Sequence, residues 1–142
     1  MTNRIKLQKG QDGTKINAGN ATKDVSADDA PPIFSLKISK KYCITACTSE
    51  EQKQFALTLH QLSQSPWSDL RQAGRHGTGY EIIPKKIIKG ATIPEEVTKD
   101  VHIIAFRFSG KKPMVGYRDA LDRRIFHILW LDRKFCLYNH GS

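Results

Sequence analysis

The last third of the chain most narrows what it can fold into. Four apolar segments, VHIIAFRF (101–108), PMVGYR (113–118), RIFHILWL (124–131) and FCLY (135–138), alternate with the short polar connections SGKK, DALDR and DRK. Connections this short join neighbouring antiparallel strands, because a parallel crossover needs a dozen or more residues. The expectation is therefore an antiparallel meander. In a regular strand over RIFHILWL, Ile125, His127, Leu129 and Leu131 share one face and Phe126, Ile128 and Trp130 the other. Both faces are apolar, which marks a central strand covered on both sides. His127 is then expected to be a hydrogen-bonded core histidine.

Upstream, IFSLKISKKYCITACT (33–48) reads as one long or two short strands, with Phe34, Leu36 and Ile38 alternating with polar residues. TSEEQKQFALTLHQLSQS (48–65) is a helix. Ser49 with Gln52 fits a capping box, and Phe55, Ala56, Leu59 and Leu62 form an apolar stripe. Pro66 ends it and opens a second helical piece, in which Trp67 and Leu70 are spaced to pack inward. RHGTGYEIIPKKIIKG (75–90) mixes β and loop signals, and IPEEVTKD (93–100) reads as a turn or one helical turn. The sum is an α+β fold, a helix or helical hairpin packed on one face of a twisted, mainly antiparallel sheet. Residues 1–31 lack aromatics and are rich in Gly, Asn, Thr, Lys and Asp, so they read as a flexible tail ahead of a single domain over 32–142.

At 142 residues and 39% hydrophobic content, one soluble domain is expected. No apolar run approaches the roughly 18–20 residues that span a bilayer, and the N-terminus has no secretory h-region, so a cytoplasmic protein without a membrane partner is expected. Cys43 and Cys47, if on one strand, would stand about 13 Å apart at ~3.3 Å per residue, too far for a disulfide. Free thiols are the favoured reading, and the three cysteines make no zinc framework. The net charge is +9, and the first 31 residues, with five basic and four acidic side chains, contribute little of it. A basic folded body points to a polyanionic partner, with nucleic acid the leading candidate.

Several side chains could carry chemistry. Arg107 and Arg118 lie in otherwise apolar strands, where a guanidinium must find an anion. Asp119, Asp122 and Asp132 could serve as internal partners, and a ligand phosphate would serve equally; the sequence leaves both open. Arg75 and His76 precede the glycines of RHGTGYE, where the backbone can approach a ligand closely or simply turn. Lys85 and Lys86 join Arg75 and Arg107 as candidate substrate-binding cations. Tyr138 and His140 close the chain's last apolar segment, at the expected rim of the sheet.

Cleavage of RNA by its own 2′-hydroxyl needs a base, an acid and cations against the phosphoryl oxygens, and no metal or cofactor. This chain carries such residues across 75–140, whereas its carboxylates are dispersed and no D-x-D or H-x-H pair occurs there. A phosphate loop of the G-x-x-x-x-G-K type and a G-x-S-x-G elbow are both absent from the sequence.

The blocks RHGTGYE (75–81), FRFSGKKPMVGYRD (106–119) and FHILWLDRKFCLYNH (126–140) resemble those of a widespread group of small bacterial proteins. The order of strand, helical hairpin and antiparallel meander also resembles the RelE-like toxins. That resemblance implies a metal-independent endoribonuclease of toxin–antitoxin type, acting on messenger RNA and held by an acidic antitoxin protein. It further implies basic residues on the concave face of the sheet and a basic, Tyr or His residue near the C-terminus. Arg107, Arg118, Tyr138 and His140 fall at places of that kind. The long N-terminal segment departs from the compact toxins. The expectation drawn is RNA cleavage with His76, Arg118, Tyr138 and His140 as the catalytic group. The alternatives are a non-catalytic nucleic-acid-binding module and a phage-defence interaction protein.

Overall fold

Short polar connections do pair the first three of the four C-terminal apolar segments into consecutive antiparallel strands. A computed structural model describes residues 26–73 and 78–139. In chain order they form β1 (Ile33–Leu36), α1 (Ser49–Leu62), α2 (Trp67–Ala73), β2 (Glu81–Ile83), β3 (Ile103–Ser109), β4 (Lys112–Arg118) and β5 (Ile125–Leu131). The α+β expectation holds, with two helices packed on a five-stranded mixed sheet of order β1-β5-β4-β3-β2. β5 inserts between β4, its antiparallel partner, and β1, with which it runs parallel. Phe126 through Leu131 are consequently all buried, as a centrally placed strand requires.

The helices cover one face, where Phe55, Leu62, Trp67 and Leu70 pack on Ile104, Phe106, Phe126 and Ile128. Among the described residues no α-helix covers the other face. Irregular chain does so instead, bringing Tyr42, Ile88, Val97, Leu137 and Tyr138 onto Ile103, Val115, Tyr117 and Leu129.

Strict alternation fails within β5. Val115 faces Trp130 while Gly116 faces Ile128, so Leu129 is an extra residue in the ladder. Past this bulge the phase is offset. Leu131 joins Phe126 and Ile128 on the helix face, and Trp130 joins Leu129 on the other. Gly116 permits the arrangement, because a Cβ there would run into the carbonyl oxygen of His127.

Two further sequence expectations shift. Only Ile33–Leu36 of the segment 33–48 is strand; Lys40–Tyr42 and Ile44–Ala46 are 3-10 turns. Burial of the Tyr42 ring, whose hydroxyl donates to the Gly90 carbonyl at 2.9 Å, draws the chain off the sheet edge. Cys43 and Cys47 therefore do not share a strand, and all three cysteines are free. FCLY also forms no strand. The buried Asp132 carboxylate accepts the N–H groups of Cys136 and Leu137, each at 2.9 Å, and turns the chain back so that Leu137 and Tyr138 enter the core.

The cap of α1 sits one residue earlier than read. Thr48 Oγ1 accepts the Glu51 N–H at 3.1 Å and Glu51 Oε1 accepts the Thr48 N–H at 2.8 Å. This places Glu51 rather than Gln52 at the buried position, where it also meets Arg133 at 2.7 Å and Lys112 at 3.5 Å. Among the described residues no helix is long and apolar enough to cross a membrane.

Candidate nucleic-acid interface

An antiparallel meander brings the start of β3, the end of β4 and the start of β5 to one end of the sheet. His102 precedes β3, Arg118 ends β4 and Arg123 precedes β5. These side chains, with Tyr80, Ile82 and Asp100, line a recess of about 280 Å3 beside β2.

Arg118 is 6% exposed, and each part of its guanidinium is placed. It lies 4.2 Å over the Trp67 ring, a cation–π contact set up by the packing of α2. Its Nε donates to the Arg123 carbonyl at 2.7 Å and its Nη2 donates to Asp28 Oδ1 at 2.8 Å. Burial works against its charge and pulls its pKa down, and Asp28 opposes that shift. Of the two readings open in the sequence, the ion pair is made, with a partner outside the expected Asp119, Asp122 and Asp132.

Asp28 lies inside the segment read as a tail. Residues Ala27–Asp29 form a 3-10 turn, and the Trp67 N–H donates to the Ala30 carbonyl at 3.0 Å, seating that turn on α2. Asp28 Oδ2 also accepts from Arg71 at 2.9 Å. The Arg118 hydrogen bond, then the charges of Arg118, Arg71 and Arg123, hold its carboxyl below the usual range despite partial burial. One carboxylate thus faces three guanidiniums. Arg123 itself makes no ion pair among the described residues.

The other sequence candidates are dispersed. Arg107 lies further along β3, half-buried, in a different cleft. Lys85 Nζ donates to the carbonyls of Thr98 at 2.5 Å and Lys99 at 3.3 Å, tying the loop before β3, while Lys86 is exposed. Tyr138 is buried in the core on the face away from the helices. Arg75, His76 and His140 lie outside the described residues. Arg107, Arg118 and Tyr138 therefore do not converge on one site.

His127 takes the structural place expected of it. Its Nε2 pairs with Asp119 Oδ1 at 2.8 Å, and its ring lies 4.9 Å from that of Tyr117. Asp119 Oδ2 meanwhile accepts the N–H groups of Leu121 and Asp122, closing the turn between β4 and β5. The His127 bond, then these N–H groups, lower the Asp119 pKa.

Sequence reasoning missed His102, Arg123 and Tyr80. His102 sits within the apolar segment VHIIAFRF and Arg123 in a polar connection, and only the meander's strand directions put them at a common end. Among the described residues no three His, Cys, Asp or Glu side chains cluster as a metal site would require. The chain matches no family model, no curated protein and no solved structure.

Proposed function

We propose that this protein binds RNA and cleaves it without a metal ion, with the recess at the end of β3, β4 and β5 holding the scissile phosphate. One observation carries the reading: two arginines, a histidine and a tyrosine line a single recess on a chain of net charge +9. Arg123 supplies charge to the phosphoryl oxygens, and Arg118, fixed by Trp67 and Asp28, shapes the cationic wall. His102 is exposed and takes the proton from the ribose 2′-hydroxyl. The 2′-oxygen forms its bond to phosphorus as the bond to the 5′-oxygen breaks, leaving a cyclic phosphate. Tyr80 supplies the proton for the departing oxygen. His76 and His140 stay candidates for proton transfer on sequence grounds alone. An acidic partner of antitoxin type would cover the recess by meeting the same arginines.

A second reading, a nucleic-acid-binding module without catalysis, is favoured by the protein contacts that Arg118 already makes. Its Nε and Nη2 already have protein acceptors, which leaves Arg123 as the freer cation. Incubating labelled single-stranded RNA with the protein in EDTA separates the two. Cleavage by the wild type, lost about 100-fold or more in His102→Ala with binding retained, supports the enzyme. Bound but intact RNA supports the module, and absence of binding overturns both.

A further inference from the structure

β2 is short and pairs only with Ile103 through Ala105, so among the described residues no strand pairs with the outer edge of β3 from Phe106 onward. A second cleft of about 280 Å3 opens there, between that edge, α1 and Thr78–Gly79. Gln54, Thr58 and Gln61 of α1 line it together with Thr78, Arg107 and Ser109. Among the described residues no carboxylate lines it. Arg107 is half-buried and makes no hydrogen bond or ion pair among the described residues. Thr58 donates to the Phe108 carbonyl at 3.1 Å, which ties α1 to β3 and holds the cleft's two sides together. The Gln61 side-chain amide makes no hydrogen bond among the described residues.

Arg118 and Arg107 differ in one decisive respect. Both are partly withdrawn from water, but among the described residues Arg118 has a carboxylate partner and Arg107 has none. A half-buried arginine with no protein acceptor among the described residues is suited to a phosphate, which a guanidinium can grip with two parallel hydrogen bonds. The two recesses are lined by neighbouring stretches of one chain segment. Thr78 and Gly79 line one, and Tyr80 and Ile82 line the other. From Ile104 to Arg107 along β3 is about 10 Å at ~3.3 Å per residue, within reach of a short run of nucleotides.

We propose that the Arg107 cleft is a second phosphate subsite for the same RNA strand, with the α1 amides meeting the attached nucleoside. The strand then runs along the β2 edge from the Arg118–Arg123 recess to Arg107. This inference rests on the RNA-binding reading above and adds the path of the substrate.

Fluorescence anisotropy in EDTA with 2′-O-methyl uridine oligomers, which cannot be cleaved, tests it. The probes are a dinucleotide with one phosphodiester and an octanucleotide, each titrated at several salt concentrations. Arg107→Ala is expected to weaken the octanucleotide about 5–10-fold and to flatten its salt dependence by about 0.7, the single-strand value for one phosphate. The dinucleotide should bind Arg107→Ala as it binds the wild type, whereas Arg123→Ala should weaken both probes. Arg107→Lys, which keeps the charge and guards against a folding artefact, should restore the salt slope without the full affinity. Unchanged octanucleotide affinity and slope in Arg107→Ala, with Arg123→Ala still impaired, overturns the second subsite and leaves the RNA-binding reading standing. Equal weakening of both probes by Arg107→Ala also contradicts a separate subsite. No binding by the wild type overturns both.

Discussion

Arg118 Nη2 meets Asp28 Oδ1 at 2.8 Å, joining residues 90 positions apart in the chain. The contact fastens the first described turn to the end of β4, beside the recess proposed to hold phosphate. Asp28 is thus a tethered anion among three arginines, and a phosphate at the proposed site would have to share or replace it.

Asp28→Asn should therefore act in two directions. It removes the charge partner of a buried arginine and should cost about 1–2 kcal/mol, the lower range because Asp28 retains solvent contact. It should also raise RNA affinity about 3–10-fold, by freeing Arg118 and Arg71 for phosphate. Thermal melting and an anisotropy titration at fixed salt measure the pair. A destabilised variant with unchanged or weaker RNA binding would show that Asp28 does not compete with the ligand.

Glu51 joins the N-terminus of α1 to Lys112 at the start of β4 and to Arg133 just past β5. The Thr48 N–H, then Arg133 and Lys112, hold its carboxyl at about 2 against the effect of burial. Its folded pKa is depressed, so its contribution is present above the ordinary carboxylate value and lost as pH falls toward about 2. Wild-type stability should decline through that window, and Glu51→Gln should decline less steeply there. At neutral pH Glu51→Gln should cost roughly 2–3 kcal/mol, since it weakens a charge-assisted cap and two ion pairs. Parallel pH profiles for the two proteins would contradict this role.

Gly116→Ala tests the bulge. With the His127 carbonyl where the new Cβ must go, the β4–β5 ladder has to open. A loss on the order of 3 kcal/mol or more, or failure to fold, is expected by denaturant titration. A change of under about 1 kcal/mol would mean that the ladder shifts without strain.

Much of this architecture was legible in the residues, and the misreadings share a cause. The meander followed from connection lengths, and the central place of β5 followed from its two apolar faces. His127 was read as a paired core residue because its strand neighbours left it no solvent. What local pattern could not reveal was set by distant partners. The bulge at Leu129 depends on Gly116 opposite, the loss of strand after Leu36 depends on Tyr42 finding Gly90, and the turn of FCLY depends on Asp132. The site shows the same division. Arg118 was found from an arginine out of place in an apolar strand, but its partner Asp28 lies in a segment whose composition suggested no structure. His102 and Arg123 carried no local signal and acquire one only when strand order brings them together.

Tyr138→Phe offers a sharp contrast between places in the fold. Tyr138 is 7% exposed on the face opposite the Arg118 recess. The variant should keep RNA binding and any cleavage within about 2-fold of wild type, while stability changes by no more than about 1.5 kcal/mol on removal of the hydroxyl. A loss of cleavage on the order of 100-fold, with stability and binding intact, would assign Tyr138 to the chemistry instead.

The most direct measurement is the affinity of the wild type and Arg123→Ala for a non-cleavable single-stranded RNA octamer, in EDTA, across a salt series. Arg123 is exposed and makes no ion pair among the described residues, so its removal should leave the fold intact. The expected result is salt-sensitive binding by the wild type, weakened about 5–10-fold by the substitution, with a slope shallower by about 0.7. Wild-type binding that is absent, or that Arg123→Ala leaves unchanged in affinity and slope, would contradict the recess as the RNA site.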